Sequence, residues 1–294
     1  MESIAPNYWK IFHEGVLTFY DRLLEGNYVY HSPQRKRRQP PPVGMPYHGF
    51  PEFFIQFQGV NQFCCPPDRF DLCPGEACLI PKGVAHGETV CCDETGRFSG
   101  IVLFVKENRL AFLASTGSDR GTPRVSFASS LASAEVPVVA SHLDMLSSID
   151  PSRGDRQRVR ADAHLRILIS SILDLLESSG GTTHPNETRA YQARNLIHAR
   201  LADPTLSITE LADQLACSPD HLARVFNVHL GQTPNRYIRS ERLRLATTLI
   251  EAGELNLSEI ASRTGFQSLS YFSRVFVRSV GYPPSEHRLR IACQ

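Results

Sequence analysis

The sequence predicts a two-domain α+β protein in which a β-rich N-terminal part precedes an all-helical C-terminal part. Short apolar segments separated by Pro and Gly lie between about residues 43 and 105, a pattern typical of strands and turns. Beyond residue 186 the apolar residues follow helical spacing, and one helical pattern occurs twice. A chain of 294 residues is long enough for two domains of this kind.

The composition is that of an ordinary globular protein, with 41% hydrophobic and 21% charged residues. The chain has no run of eighteen apolar residues and lacks the basic start and apolar stretch of a signal peptide, so we expect no membrane partner and a cytoplasmic location. In that compartment the eight cysteines are expected to be thiols. From Asn186 onward there are 13 Arg, no Lys and 10 acidic residues, and this use of Arg suits phosphate and guanine.

A small β-barrel is predicted over about residues 20–125. Several short strands separated by turns are typical of a barrel or a sandwich. The clearest predicted strands cover residues 52–58, 76–80 and 98–105.

Helices are predicted to follow the barrel, over about residues 136–178. Within them, residues 155–178 carry an amphipathic apolar stripe. We expect residues 1–178 to form the N-terminal domain, residues 179–187 a linker of Ser, Gly and Thr, and residues 188–294 the C-terminal domain.

The C-terminal part contains a helix–turn–helix pattern twice, over residues 208–229 and 257–279. The offset between matching residues is 49 before the internal turn and 50 after it, so the second turn is predicted to be one residue longer. Two such motifs predict a protein that reads two segments of duplex DNA. The matching pairs are Glu210 and Glu259, Ala212 and Ala261, Arg224 and Arg274, Phe226 and Phe276, and Gly231 and Gly281.

The second helix of each motif is predicted to bury one face. In the first copy, Ser218 suits the N-cap and Pro219 the first helical position. Apolar side chains at helical spacing then define the buried face. These anchors are Leu222, Val225 and Phe226 in the first copy and Leu269, Phe272 and Phe276 in the second.

The opposite face of each second helix is the predicted DNA-reading surface, because in a helix–turn–helix this face enters the major groove. Arg224 and Arg274 are the main candidates, since guanidinium can bind guanine through two hydrogen bonds. The predicted contacts are Asp220, His221, Ala223 and Arg224 in the first copy, and Ser268, Ser270, Tyr271 and Arg274 in the second.

One helix over residues 234–251 is predicted to join the two motifs. Its length of roughly 27 Å is close to one major-groove repeat of about 34 Å, so it can hold both readers on one face of the duplex. Four arginines lie on this helix and some should meet phosphates: Arg236 and Arg239 are the predicted contacts, and Arg242 and Arg244 lie further along.

These residues resemble the DNA-binding domain of the AraC/XylS family of bacterial transcription regulators. Leu269 departs from the family pattern, in which a polar residue is common at this position. The resemblance covers the C-terminal hundred residues. It is carried best by Glu259-Ile-Ala261, Gly265-Phe266, Ser268, Ser270 to Arg274, Phe276 and Gly281 to Arg288.

The resemblance implies a transcription regulator, more commonly an activator, with duplex DNA, a small-molecule effector and RNA polymerase as partners. It also implies a homodimer formed by paired helices just before the linker. Leu168, Ile172 and Leu176 would then lie on the dimer seam, whereas the simpler interpretation places this apolar stripe in a core.

The N-terminal part resembles a cupin barrel, the ligand-binding domain that the AraC/XylS resemblance would also imply. His48, Glu52 and Gly59 fit most of the first cupin motif, and Gly75, Pro81, Gly83 and His86 fit the second.

His48, Glu52 and His86 are therefore the predicted effector-pocket residues. Two histidines and one carboxylate could also form a metal triad, which would make the chain a metal-dependent cupin enzyme. We favour a pocket without metal or cofactor, and a chain that is not an enzyme.

Six cysteines fall between Cys64 and Cys92 without a Cys-x-x-Cys motif, so no structural zinc site is predicted. Core packing is the favoured role, because buried thiols behave as small apolar groups. A redox or alkylation sensor is the alternative.

Overall fold

The predicted α+β class is confirmed by the computed structural model, which has a sheet-rich N-terminal unit and a helical C-terminal unit. The boundary between the two units lies between Thr188 and Arg189. The structure describes residues 8–33, 49–106, 108–117, 124–178 and 185–292.

Nine strands in the described ranges form two separate sheets: β1 (Tyr30–His31), β2 (Glu52–Gln58), β3 (Val60–Cys65), β4 (Asp68–Leu72), β5 (Ala77–Ile80), β6 (Gly87–Cys91), β7 (Phe98–Lys106), β8 (Arg109–Gly117) and β9 (Arg124–Leu131). The larger sheet has the order β1-β5-β2-β7-β8-β9, and the smaller has the order β4-β3-β6. All neighbouring strands are antiparallel except β1 and β5.

Three helices cover one face of the larger sheet: α1 (Tyr8–Glu25), α2 (Val136–Ser147) and α3 (Asp155–Ser178). Successive residues of a strand point to opposite faces, and both faces of β2 are buried. Phe53 and Ile55 pack with the helices, whereas Phe54 packs in a second apolar cluster that includes Phe63 of the smaller sheet. The N-terminal unit is therefore layered, with helices on one side and the smaller sheet on the other.

The predicted cupin-like barrel over about residues 20–125 is not confirmed: the described strands form two sheets that share no hydrogen-bonded strand pair, so they do not close into a barrel. Its predicted start also lies inside α1. This helix was missed, although Phe12, Val16, Phe19 and Leu23 follow helical spacing and are all buried.

The apolar stripe of α3 is a core and not an exposed dimer seam. Leu168 and Ile172 are 0% exposed and Leu176 is 1% exposed within one chain. All three pack in the cluster that α1, α2 and the larger sheet share. The predicted seam at these residues is therefore wrong, because each side chain is already covered.

The described part of the C-terminal unit is helical. Its first helix begins inside the predicted linker, of which residues 179–184 lie outside the described ranges. The helices are α4 (Pro185–Ala199), α5 (Ile208–Gln214), α6 (Pro219–Leu230), α7 (Pro234–Ala252), α8 (Leu257–Arg263), α9 (Leu269–Val280) and α10 (Pro284–Ala292).

The pairs α5–α6 and α8–α9 have matching turns and caps. Four residues separate α5 from α6 and five separate α8 from α9, at the point where the sequence offset changes. The hydroxyl oxygens of Ser218 and Ser268 accept hydrogen bonds from the backbone N–H groups of His221 and Tyr271, which caps α6 and α9. Ser218 as N-cap is thus confirmed.

In the ranges that the structure describes, no helix combines the length and the apolarity required to cross a membrane.

Candidate functional site

The outer face of α6 is polar and accessible. Leu222, Val225 and Phe226 are buried, as their spacing predicts. Asp220 and Arg224 are exposed on the opposite side, and His221 and Ala223 are half-buried. Burial of the anchors therefore leaves the first helical turn and the following turn open to a partner.

His221 lies between two arginines at the start of α6. Arg189 donates from Nη1 to His221 Nε2 over 3.1 Å, and Arg224 donates from Nη2 to Nδ1 over 3.2 Å. A neutral imidazole has one acceptor nitrogen, so it can accept only one of these hydrogen bonds at a time. Arg224 is thus held loosely by its own helix and can exchange His221 for an outside acceptor.

The outer face of α9 is the counterpart of this surface. Ser270, Tyr271 and Arg274 are exposed, whereas Phe272 and Phe276 are buried. Ser268 is exposed, but its hydroxyl oxygen already accepts the Tyr271 N–H as the N-cap.

Leu269 is 41% exposed at the first position of α9, so its predicted role as an anchor is wrong. A first-turn side chain lies at the edge of the helix's packed face, where apolar character does not ensure burial.

A groove of about 810 Å³ runs between α7 and α9 and is lined by arginines from both helices. Arg236 and Arg239 come from α7 and are exposed. Arg274 and Arg278 come from α9, one turn apart on its exposed face. Arg278 is not among the predicted contacts, although its spacing of four residues from Arg274 places it on the same helix face.

Two other arginines of α7 are held by the protein itself. Arg242 donates to the carbonyl oxygens of Leu201 and Asp203, at 3.0 and 2.5 Å. Burial lowers its pKa. Arg244 lines the groove but forms an ion pair of 2.6 Å with Glu241. Arg242 therefore braces the fold, and Arg244 contributes little net charge to the groove.

Known proteins resemble the chain over the part that carries this surface. A family model described as a helix-turn-helix domain matches residues 211–290. The transcriptional activator RhrA of Rhizobium meliloti (strain 1021) is 32% identical over 141 residues, 45% of each chain. The HTH-type transcriptional regulator AlkR of Acinetobacter baylyi is 34% identical over 105 residues, 36% of this chain and 33% of that protein. The arabinose operon regulatory protein of Escherichia coli (strain K12) is 28% identical over 125 residues, 42% of this chain and 43% of that protein.

The C-terminal unit is an AraC-type helix–turn–helix domain. The match spans less than half the length of each of these three relatives. All three are named as regulatory proteins and not as enzymes. Within this AraC-type domain, the matched residues 211–290 include α6, α9 and the groove between α7 and α9.

The N-terminal unit holds a buried polar cluster between its two sheets. His86 lies just before β6, with Nε2 3.4 Å from a carboxylate oxygen of Glu52 and 4.0 Å from one of Glu88. Asn61 donates from Nδ2 to Glu88 over 2.7 Å. The rings of Phe54 and Phe63 lie against the imidazole. Glu52 and His86 are thus brought together as predicted, whereas His48 lies outside the described residues.

Burial and charge oppose each other at His86. Burial alone lowers its pKa, but the hydrogen bond and charge of Glu52, with the charge of Glu88, outweigh it, so the pKa of His86 is raised. Burial raises the pKa of Glu88 against the opposing effects of His86 and Asn61. The cluster therefore favours holding a proton near neutral pH.

The described residues contain no set of three or more His, Cys, Asp or Glu side chains arranged to hold a metal ion. The alternative metal triad of His48, Glu52 and His86 includes one residue outside those ranges and therefore stays a prediction.

The cysteines in the described ranges are free thiols. Burial raises the pKa of Cys65 to about 12 and that of Cys78 well above its usual value. The pKa of Cys73 is raised by burial and by nearby carboxylates. Because the thiolate is the reactive form, these three side chains are poor nucleophiles at neutral pH. Cys65 and Cys78 pack in the apolar cluster between the sheets, which accords with a packing role.

Proposed function

We propose that the chain is a transcription regulator that binds two adjacent segments of duplex DNA through α6 and α9. The observation that carries the proposal is the duplicated helix pair with an exposed arginine at the same position, Arg224 in one copy and Arg274 in the other. Burying the apolar anchors of each pair turns these arginines outward, where each can reach the edge of a guanine.

The connecting helix sets the distance between the two readers. With 19 residues, α7 is about 28 Å long, close to the repeat of about 34 Å between successive major grooves. Its exposed Arg236 and Arg239 suit contacts with the intervening phosphates. A rigid spacer therefore favours a two-part site read from one face of the duplex.

We further propose that a small molecule bound in the N-terminal unit controls DNA binding, with Glu52 and His86 at its site. A ligand can act only if it binds one arrangement of the protein more tightly than another. The buried proton-holding cluster supports this placement, because its hydrogen bonds could be exchanged for those of a polar ligand. Activation is part of the proposal because relatives such as RhrA are named as activators. Contact with RNA polymerase and action as a homodimer are further parts of the proposal, which the AraC/XylS resemblance of the sequence implies.

Selection from a randomised duplex library tests the DNA-binding proposal. We expect the full chain to enrich a site with two conserved elements, one per reader. Arg224→Ala and Arg274→Ala should each lose sequence information at a different element. Each should also weaken binding to the selected duplex by about 1–3 kcal/mol if the contact is bidentate.

Arg290→Ala is the matched control, because Arg290 is an exposed arginine of α10 that pairs with Glu286 and does not line the groove. Its selected site should equal that of the wild type. Failure of the wild type to enrich any site would overturn the proposal. So would an unchanged two-element site with both arginine variants.

A thermal-shift screen of small polar metabolites tests the effector site. A compound that stabilises the wild type should lose its effect in the Glu52→Gln and His86→Gln variants and change the affinity for the selected duplex. Equal stabilisation of all three proteins would place the effector elsewhere.

A further inference from the structure

Two histidines of the N-terminal unit meet at the contact between α2 and α3. His142 lies on α2 and His164 on α3, and both are half-buried. Their Nδ1 atoms are 2.9 Å apart and their ring centres are 5.1 Å apart. The Nδ1 atom of each ring therefore faces the Nδ1 atom of the other.

This contact excludes a state in which both rings are fully protonated. One Nδ1 must carry a hydrogen and the other must accept it, since a proton on both nitrogens would bring two N–H groups together. Burial, followed by the charge of His164, lowers the pKa of His142. The lowered pKa favours the neutral form of His142, which is the form that binds metals.

We propose that His142 and His164 form a binding site for a divalent metal ion that prefers imidazole, such as Zn²⁺. Two nitrogens at 2.0–2.1 Å from a tetrahedral Zn²⁺ stand about 3.3 Å apart. The observed pair must open by only about 0.4 Å to reach this value. The spacing of the two nitrogens is thus close to that of a pair of zinc ligands.

When both rings are neutral, replacing their hydrogen bond with a metal ion releases no proton. The hydrogen on one Nδ1 moves through solvent to Nε2 of the same ring, so that both rings carry their proton on Nε2. Each Nδ1 then donates its lone pair to the metal. The ion replaces the shared hydrogen as the link between α2 and α3.

The remaining coordination positions are open. In the described ranges, no third His, Cys, Asp or Glu joins this pair to make a closed cage. Water or a small anionic ligand would fill the other positions, which is the arrangement of an open and exchangeable site. We therefore expect micromolar binding, weaker than at a closed structural zinc site.

Calorimetric titration of Zn²⁺ into the full chain, treated first with chelator and kept reduced, tests the proposal. The wild type should show a binding event that is lost in both His142→Gln and His164→Gln. Zn²⁺ should also raise the midpoint of thermal unfolding of the wild type but not of the variants, because a ligand of the folded state stabilises it. Circular dichroism establishes that each variant is folded.

His13→Gln is the matched control, since His13 is a partly exposed histidine of the same unit that pairs with Glu177. It should bind Zn²⁺ as the wild type does. Co²⁺ as a second probe separates the pair from the cysteines, because thiolate ligands add a charge-transfer band that imidazole ligands do not. The same binding curve in wild type and both variants, or a thiolate band that accounts for all bound Co²⁺, would overturn the proposal.

Discussion

Arg278 extends the proposed DNA surface by one helical turn. It is exposed on α9 and lines the groove shared with α7. The matching position in α6 is Val228, which is 70% exposed and uncharged. The two copies therefore differ in charge at this position, and the second offers an added contact for phosphate.

Replacing Arg278 with Ala should weaken binding to different DNA sequences by a similar factor, because a phosphate contact carries no sequence information. The slope of log K against log salt should become shallower by about one, the value for a single lost phosphate contact. Titrations at several salt concentrations measure this slope. Arg290→Ala should keep the wild-type slope, and a change of sequence preference in Arg278→Ala would instead assign Arg278 to a base.

The buried pair of Glu52 and His86 makes the N-terminal unit sensitive to pH. The pKa of His86 is higher in the folded protein than its value of about 6.5 in the unfolded chain. Its protonation therefore stabilises the fold in full below about pH 6.5, and this stabilisation is lost as pH rises through the folded pKa. The raised pKa of Glu88 acts in the same direction from a lower pH. We expect the unfolding midpoint to fall as pH rises above about 6.5 and through the raised pKa of His86.

The fluorescence of Trp9 can follow this change, because it is the only tryptophan and packs in the N-terminal core. In His86→Gln the dependence above pH 6.5 should flatten. An equally steep dependence in wild type and variant would show that another group is responsible.

Local chemistry predicts single residues well only where their partners are also local. Ser218 at the N-cap and Pro219 at the first helical position follow from the turn sequence itself. The bracing role of Arg242 does not, because its acceptor on Leu201 lies 41 residues earlier in the chain. The burial of Leu269 was wrongly predicted for a related reason. Helical spacing indicates which face is apolar, but not how far neighbouring helices cover that face.

The helix pairs α5–α6 and α8–α9 form equivalent turns with different residues. Ala216 and Gly265 occupy equivalent positions, and both have positive φ, at 50° and 80°. This region favours glycine, so the first turn is strained relative to the second. The apolar pattern predicted both helix pairs, but it carries no information about the positive φ of Ala216.

Opposite substitutions should therefore have opposite effects. Ala216→Gly should stabilise the C-terminal unit by up to about 1 kcal/mol. Gly265→Ala should destabilise it by about 3 kcal/mol, since the new Cβ would lie 2.4 Å from the Leu201 carbonyl oxygen and 2.8 Å from Arg242 Nε, breaking their hydrogen bond. Scanning calorimetry measures both. A stabilising Gly265→Ala would contradict the close approach of these atoms.

The helix α3 makes a similar comparison possible within one element. Ile172 is fully buried and Ile167 is 46% exposed on the same helix. Ile172→Ala should destabilise the N-terminal unit by about 2–5 kcal/mol through the cavity it leaves. Ile167→Ala should change stability by no more than about 0.5 kcal/mol. Unfolding followed by Trp9 fluorescence measures both changes. Equal destabilisation by the two substitutions would contradict the difference in burial.

At the scale of the whole molecule, the order of the parts was predictable and the architecture of the first part was not. Helical spacing and a repeated motif identified the C-terminal unit because helix pairing there is local in sequence. The sheets depend on distant pairings such as β1 with β5 and β2 with β7, which alternation alone does not specify. A closed barrel and two packed sheets have the same strand pattern, so the sequence could not separate them.

The proposed two-reader function makes a final prediction about the spacing of the DNA site. One turn of duplex contains about 10–10.5 base pairs, so inserting five base pairs between the two selected elements turns them to opposite faces. The rigid α7 cannot follow this rotation, because its 19 residues form one continuous helix. Affinity should fall to that of a duplex carrying one element. On the lengthened duplex, the arginine variant whose reader faces the displaced element should bind as tightly as the wild type. Gel-shift titrations on the two duplexes measure the difference. Equal affinity for both would mean that the readers are not held on one face, and the second helix pair would then have to act on something other than the same DNA site.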